Sequence, residues 1–288
     1  MAFAMSGFSA DGDDFGGGIF ADEVGLEYAI YGQTRLKTAF QPIFRAQGLA
    51  LLPFAVEARV APRLQGVAVA AGEFLAQAPR GDRAMIEAAC RTIHVRNHAQ
   101  LGVDDPSTWP LYISVDARHG LDAVQFASIA ALADEAGIPV GNVICEIADA
   151  VSIEDAQLAA LATSARSAGL KLSVAAFRAD RAAIEQVARI EPDVIKIDGA
   201  WFRNVQDRAE TALLFPAVAT AFKGLGSTLL VQGIENGAEL AAALDAGADW
   251  MQGNLLAEAA LAGTIVDETS ISIDRLVLGD VQKAHQRG

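Results

Sequence analysis

The chain has 288 residues, of which 52% are hydrophobic, and 36 acidic against 22 basic side chains give it a formal net charge of −14. That length suits one large domain or two small ones, and a single barrel of alternating strands and helices, usually about 250 residues, fits without remainder. The acidic balance excludes general nucleic-acid binding, which needs clustered Lys and Arg to displace counterions, but leaves room for a small anionic ligand held by a few local cations or a metal.

Cys90 and Cys145 lie in apolar runs, too few and too far apart for a disulfide framework, and read as buried thiols suited to a reducing cytoplasm. No apolar run reaches the roughly 20 residues needed to cross a bilayer, so no membrane contact is expected. The opening MAFAMSGFSADGDDFGGG has neither a basic region nor a sustained apolar core. It reads as a flexible tail over 1–20, not as a signal peptide.

Residues 21–36, with Val24, Leu26, Tyr28, Ile30 and Tyr31, suggest an amphipathic helix. Two extended segments follow, 38–45 and 49–60, across a turn at Gln47-Gly48. So short a connection makes them antiparallel, because parallel pairing needs a crossover of a dozen or more residues. Helices are expected over 72–77 and 82–100, the second with Met85, Ala88, Ala89, Ile93 and Val95 on its apolar face. After Pro110 the chain alternates. Strands at 111–115, 143–147, 170–176, 194–197 and 228–232 are each followed by a helix, at 121–136, 153–168, 181–188, 207–224 and 238–246, and a last short strand lies at Trp250-Met251. Strands separated by helices imply a parallel sheet, with about seven or eight strands in all. Without a Gly-x-Gly-x-x-Gly turn after the first parallel strand, a closed barrel is favoured over a doubly wound sheet. The expected fold is therefore a TIM-like (β/α)8 barrel with an antiparallel first strand, over 21–262. An extension over 263–288, with strand-like Ile271-Ser272-Ile273, packs on the body or on a partner.

In such barrels chemistry sits at the carboxyl ends of the strands, and alternate residues point inward. Glu57, Arg59 and Ala61 share one face, Asp116 closes the strand Tyr112-Ile113-Ser114-Val115, and Glu146 lies in an apolar run where a carboxylate must be paired, metal-bound or terminal. Lys196 and Asp198 share an inward face, with Gln232 and Gln252 ending the last two strands. A lone terminal acid is commonly a cap, and Lys196 with Asp198 could be a structural ion pair. The convergence of so many polar ends on one mouth points instead to a ligand or metal pocket, or its remnant. The exception is the strand ending Ser173-Val174-Ala175-Ala176, where two alanines stand in place of polar groups.

These strand ends, in this order over 37–256, resemble the EAL domain family of phosphodiesterases that open the bacterial messenger cyclic di-GMP. The family's Tyr-Gln-Pro-Ile is similar to Phe40-Gln41-Pro42-Ile43, its Glu-Ala-Leu to Glu57-Ala58-Arg59, and its Val-Asn-Leu-Ser to Val115-Asp116-Ala117-Arg118. Glu-Ile-Thr-Glu matches Glu146-Ile147-Ala148-Asp149, Lys-Ile-Asp is intact as Lys196-Ile197-Asp198, Glu-Gly-Val-Glu becomes Gln232-Gly233-Ile234-Glu235, and the closing Gln-Gly is Gln252-Gly253. The Asp-Asp-Phe-Gly-Thr-Gly loop has become Ala175-Ala176-Phe177-Arg178-Ala179-Asp180.

The resemblance implies a two-metal hydrolysis in which a metal-activated water attacks the phosphodiester in line. It also assigns roles. Glu57, Asp116 and Glu146 would be remnants of a metal set able to hold one Mg²⁺ or Mn²⁺ at most. Lys196 and Glu235 would be vestigial catalytic groups, and Gln41, Arg59 and Gln252 ligand contacts. Alanine offers no lone pair in place of the paired aspartates, and Gln232 is no base, so the profile implied is that of an inactive member needing no cofactor. The family's phosphate-binding arginine corresponds to Ala61. Arg59 either replaces it or ion-pairs with Glu57 and Glu146, plugging the pocket. The expected protein is a cytoplasmic, degenerate EAL domain that binds a protein partner or, weakly, cyclic di-GMP, and that forms a homodimer as family members do. The alternative is an active phosphodiesterase whose metal ligands are rearranged onto Asp116, Asp180 and Asp198.

Overall fold

The computed structural model describes residues 18–117, 121–148, 150–176, 181–206 and 215–278. In place of the helix expected over 21–36, the chain forms β1 (Ile19–Ala21), β2 (Glu27–Tyr31) and the start of β3 (Thr34–Gln47). Leu26, Tyr28 and Ile30 recur at every second position, which is the strand period. Gly25 and Gly32, at φ of 87° and 56°, make the turns between the strands. The flexible-tail expectation for 1–17 lies outside the described residues, while Ile19 and Phe20 are already in β1.

β3 folds back on β4 (Ala50–Leu64), paired from Thr34 opposite Leu64 down to Gln47 opposite Ala50, with a bulge at Ile43 and Phe44. Both strands are longer than expected and run well past the barrel. A short β5 (Val67–Ala68) adds to the far end of β4. The other barrel strands are β6 (Leu111–Asp116), β7 (Val143–Ala148), β8 (Lys171–Ala176), β9 (Val194–Ile197), β10 (Thr228–Val231) and β11 (Trp250–Met251). They pair in parallel from β4 through β6 to β11, and β3 closes the ring antiparallel to both β4 and β11. This is the expected eight-stranded α/β barrel with one antiparallel strand.

Helices α1 (Ala71–Gln77), α2 (Arg83–His98), α3 (Ala123–Glu135), α4 (Asp155–Ser167) and α5 (Arg181–Ile190) lie close to their expected positions. A further helix not expected from the sequence, α6 (Gly199–Gln206), directly follows β9, and the helix expected over 207–224 is present in its described part as α7 (Phe215–Lys223). Residues 207–214 lie outside the described residues. α8 (Gly237–Asp245) follows β10, and residues 273–278 near the end of the described chain are also helical. Among the described residues no helix is long and apolar enough to cross a membrane.

The barrel interior is layered. Its lower layer is apolar, built from Ile43, Ala55, Tyr112, Ile144, Val194 and Leu230. One layer nearer the mouth, several strands bury polar side chains instead: Gln41, Glu57, Glu146, Lys196 and Gln252. The outer face of β3 carries α2, which meets it at Thr38. The C-terminal segment adds to this side of the body through β12 (Ala260–Leu261) paired with β3, the Val266 N–H on Gly102 O at 3.0 Å, and β13 (Ile271–Ser272) paired with β4. The described part of the extension, 263–278, therefore packs on the body.

The buried face of α2 includes Ile93 and Val95, as expected, but not Met85. Met85 is exposed, and Ile86, Cys90, Ile93, His94, Asn97 and His98 point inward. His94 Nδ1 and Thr38 Oγ1 are 2.8 Å apart, and Asn97 receives the Glu27 N–H at 2.7 Å while donating to Glu27 O at 2.8 Å. These bonds fasten α2 to the β2–β3 hairpin. Burial, aided by the charge of Arg91, pushes the His94 pKa down to about 3, and burial pushes that of His98 down to about 4. Both therefore fold neutral, whereas in the unfolded chain they take up protons below about 6.5. Stability is accordingly full above pH 6.5 and falls on acidification, by up to about 1.4 kcal/mol per pH unit for each histidine. Urea titrations between pH 7 and pH 5 should show that slope, and His94→Gln should remove its share.

Candidate functional site

Strand parity delivers polar groups to one point. Glu57 on β4, Glu146 on β7 and Lys196 on β9 all face inward and are nearly inaccessible to solvent. Lys196 Nζ lies 2.6 Å from Glu57 Oε1 and 2.8 Å from Glu146 Oε2, so one ammonium joins both carboxylates. It also sits 4.9 Å from the centre of the Tyr112 ring, a favourable cation–π distance. The other Glu57 oxygen, Oε2, receives Arg59 Nε at 3.0 Å, Arg59 Nη2 at 2.9 Å and Gln252 Nε2 at 2.9 Å. Tyr112 Oη and Ser173 Oγ hydrogen-bond beneath.

The charges set the protonation states. Burial alone would raise the Glu57 pKa, but the Lys196 ammonium and the Arg59 guanidinium outweigh it and hold it at about 2. At Glu146 burial dominates and raises the pKa, opposed by Lys196 and reinforced by the negative charge of Glu57. Burial would lower the Lys196 pKa, yet Glu146 and Glu57 together raise it, keeping it charged. Tyr112 is pushed well above its usual range by burial and by the neighbouring Glu146, so it stays a phenol.

The remaining expected residues divide into two groups. Gln252 belongs to the buried network. Its inward position depends on Gly253, where a Cβ would lie 2.0 Å from Ile234 O. Gln41 is also buried, donating to Asn254 Oδ1 at 3.3 Å and Ala257 O at 3.1 Å. Asp116 ends β6, half-buried. Asp198 does not pair with Lys196. It caps α6 through the Trp201 N–H at 3.0 Å and accepts from Gln232 Nε2 at 3.3 Å. Glu235 stands apart from the Lys196 network, 3.4 Å from Arg203. Above the network is an open cavity of about 300 Å³ lined by Arg59, Asp198, Arg203, Gln232, Glu235 and Asn254. Arg203 was not singled out from the sequence because it lies on α6, where no helix was expected. Ser173 and Tyr112 were missed because they read as ordinary strand residues. Their inward parity, shared with Glu146 and Lys196, was the available signal.

A two-metal centre does not fit this donor set. The point that Glu57 and Glu146 share is filled by Lys196, and Ala175, opposite Lys196 on β8, supplies no ligand. Among the described residues no group of three or more His, Cys, Asp and Glu side chains is gathered as a metal site. Arg118, Asp149 and the altered loop Phe177-Arg178-Ala179-Asp180 lie outside the described residues.

A family model described as EAL domain matches residues 25–259. No curated protein sequence matches the chain. Among solved structures, a standalone EAL protein of Vibrio cholerae in its c-di-GMP-bound form is 20% identical, with a TM-score of 0.66, over 78% of this chain and 92% of that one. The Bacillus subtilis YkuI protein, with an EAL domain and bound to c-di-GMP and calcium, is 20% identical with a TM-score of 0.66, over 87% of this chain and 60% of that one. Klebsiella pneumoniae BlrP1, in a calcium and cyclic di-GMP complex, is 20% identical with a TM-score of 0.66, over 80% and 57%. The chain thus spans most of the first protein but under two thirds of the other two.

If Lys196 holds the two carboxylates together, removing its charge leaves two buried acids facing each other. Lys196→Met should cost about 3–5 kcal/mol in urea unfolding, and adding Glu146→Gln should recover part of the loss. Glu57, with its lowered pKa, contributes stability above about pH 4.5 that falls away as pH drops toward about 2, and Lys196→Met should lose that acid-side slope.

Proposed function

This chain belongs to the EAL domain family, and from that membership we propose that it serves cyclic di-GMP signalling by binding and not by hydrolysis, its main ligand being a protein partner and cyclic di-GMP a weak one. The observation that carries this reading is the Lys196 ammonium between Glu57 and Glu146, with Arg59 closed over Glu57. A cation that is part of the chain already neutralises the acids that would otherwise attract a divalent one. Mg²⁺ relies mainly on one or two carboxylates, so a metal would have to displace a buried lysine to reach them. Ala175 and Ala176 at the next strand end and an amide at Gln232 offer neither a bridge between two metals nor a base. At most one Mg²⁺ or Mn²⁺ is held, weakly, and the protein works without it in the cytoplasm, as a homodimer.

The reading with rearranged ligands used Asp116, Asp180 and Asp198. Asp198 is engaged by α6 and Gln232, and Asp180 lies outside the described residues, so no observation favours it.

Calorimetric titration with cyclic di-GMP in Mg²⁺ or Mn²⁺, repeated with chelator, tests the proposal when the products are separated by chromatography. Weak or absent heat that the chelator does not change, and no linear dinucleotide, are the expected results. Turnover would overturn the proposal. Arg59→Leu removes an ion pair whose arginine is 46% exposed. It should cost no more than about 1 kcal/mol and leave cyclic di-GMP affinity no weaker, whereas a clear loss of affinity would make Arg59 a ligand contact. Restoring Ala175→Asp with Ala176→Asp should not revive hydrolysis, because Gln232 remains an amide.

A further inference from the structure

We propose that the face of the β1–β4 ribbon that runs past the barrel mouth docks an extended acidic peptide segment of a partner protein. The pairing of β3 with β4 places Gln41 opposite Glu57, Ala39 opposite Arg59, Lys37 opposite Ala61 and Arg35 opposite Arg63. Alternate residues of a strand share a face. The face that buries Gln41 and Glu57 inside the barrel therefore continues outward as Arg59, Lys37, Arg35 and Arg63. β2 and β1 extend it with Ile30, opposite Arg35, and with Tyr28 and Phe20, which are opposite each other.

This surface is cationic in a chain of net charge −14. Beyond Glu57, no Asp or Glu stands on that face of β2, β3 or β4. Arg59 is committed to Glu57, but Arg35, Lys37 and Arg63 have no carboxylate partner among the described residues. Like charges directly opposite on a sheet repel, so the Arg35–Arg63 pair is unfavourable on its own and is relieved by an anion laid across it.

Three observations favour a peptide over a nucleic acid. Tyr28 is flanked by Phe20, with ring centres 5.9 Å apart, and by Arg35 at 5.2 Å from its centre, so it offers no free plane on which a base could stack. The overall negative charge resists a long polyanion. An extended peptide repeats its side chains about every 6.7 Å, the spacing of Arg35 and Lys37 along β3, while its apolar residues meet Ile30 and the ring edges.

This surface specifies the partner in the binding role proposed above, and rests on that role. The test is fluorescence anisotropy of the full chain with a short labelled peptide alternating Glu with Leu and Phe. Saturable binding that weakens with added salt is expected. Lys37→Glu with Arg63→Glu should weaken it roughly tenfold or more without changing the thermal melt, and the milder Lys37→Gln with Arg63→Gln should fall between. Equal binding of a Lys-substituted peptide, indifference to charge reversal, preference for a single-stranded oligonucleotide, or self-association lost in the same variants would each overturn the proposal. Turnover of cyclic di-GMP is a separate readout. Peptide failure without turnover leaves the non-hydrolytic role standing, and turnover with charge-dependent peptide binding removes that role but not the surface.

Discussion

One ammonium group organises the upper half of this barrel. Lys196 reaches from β9 across the interior to Glu57 on β4 and Glu146 on β7, and so ties together strands that are not neighbours in the sheet. Ions taken out of water are costly unless their partners are close and their remaining lone pairs are met. Here that condition is largely satisfied. Glu57 has Lys196 on one oxygen and Arg59 with Gln252 on the other, while Glu146 shares the lysine. Two acids and two bases leave the cluster near neutrality, which is why a polar layer can lie directly on the apolar one formed by Ile43, Tyr112 and Leu230.

The same cluster connects the interior to the outside through Arg59. Its guanidinium is half exposed, yet its charge is directed inward onto Glu57. It stands at the step where the β3–β4 hairpin leaves the barrel and becomes a free ribbon. The cations beyond it have no such inward acid. The hairpin thus presents an internally neutralised end and an unneutralised one, set by the position of a single carboxylate. The opposite face of the hairpin is covered by α2, so among the described residues the cationic side is the one left open.

How much of this was legible depended on whether one residue or two decided the outcome. The parallel strands after Pro110 were readable because each is a short apolar run bounded by a helical segment, and their inward parity followed from the period of two. Residues 21–36 misled because an alternating run rich in aromatics was weighed as a helix although Gly25 and Gly32 marked turns. The helix after Asp198 was missed because its N-cap acid was counted as a partner for Lys196. Partner choice was the least legible feature. Sequence parity showed that Glu57, Arg59, Glu146, Lys196 and Asp198 face one mouth, but which acid meets which base depends on strand tilt and side-chain reach. Lys196, long enough to cross the barrel, took both distant acids, and Asp198 was left to the adjacent helix.

That choice changes how the surviving acids are understood. Set beside two alanines, Glu57 and Glu146 read as leftovers of a lost metal centre. In the structure they are the counter-charges of a buried lysine, and removal of either would leave that lysine poorly compensated in a low-dielectric interior. Their presence therefore needs no residual chemistry to explain it. A single divalent ion entering this site would have to expel Lys196 from two ion pairs and a cation–π contact, and would leave the ammonium without a buried anion. Recovering a metal site would thus require more than restoring ligands at Ala175 and Ala176, since the lysine would also need another place to go.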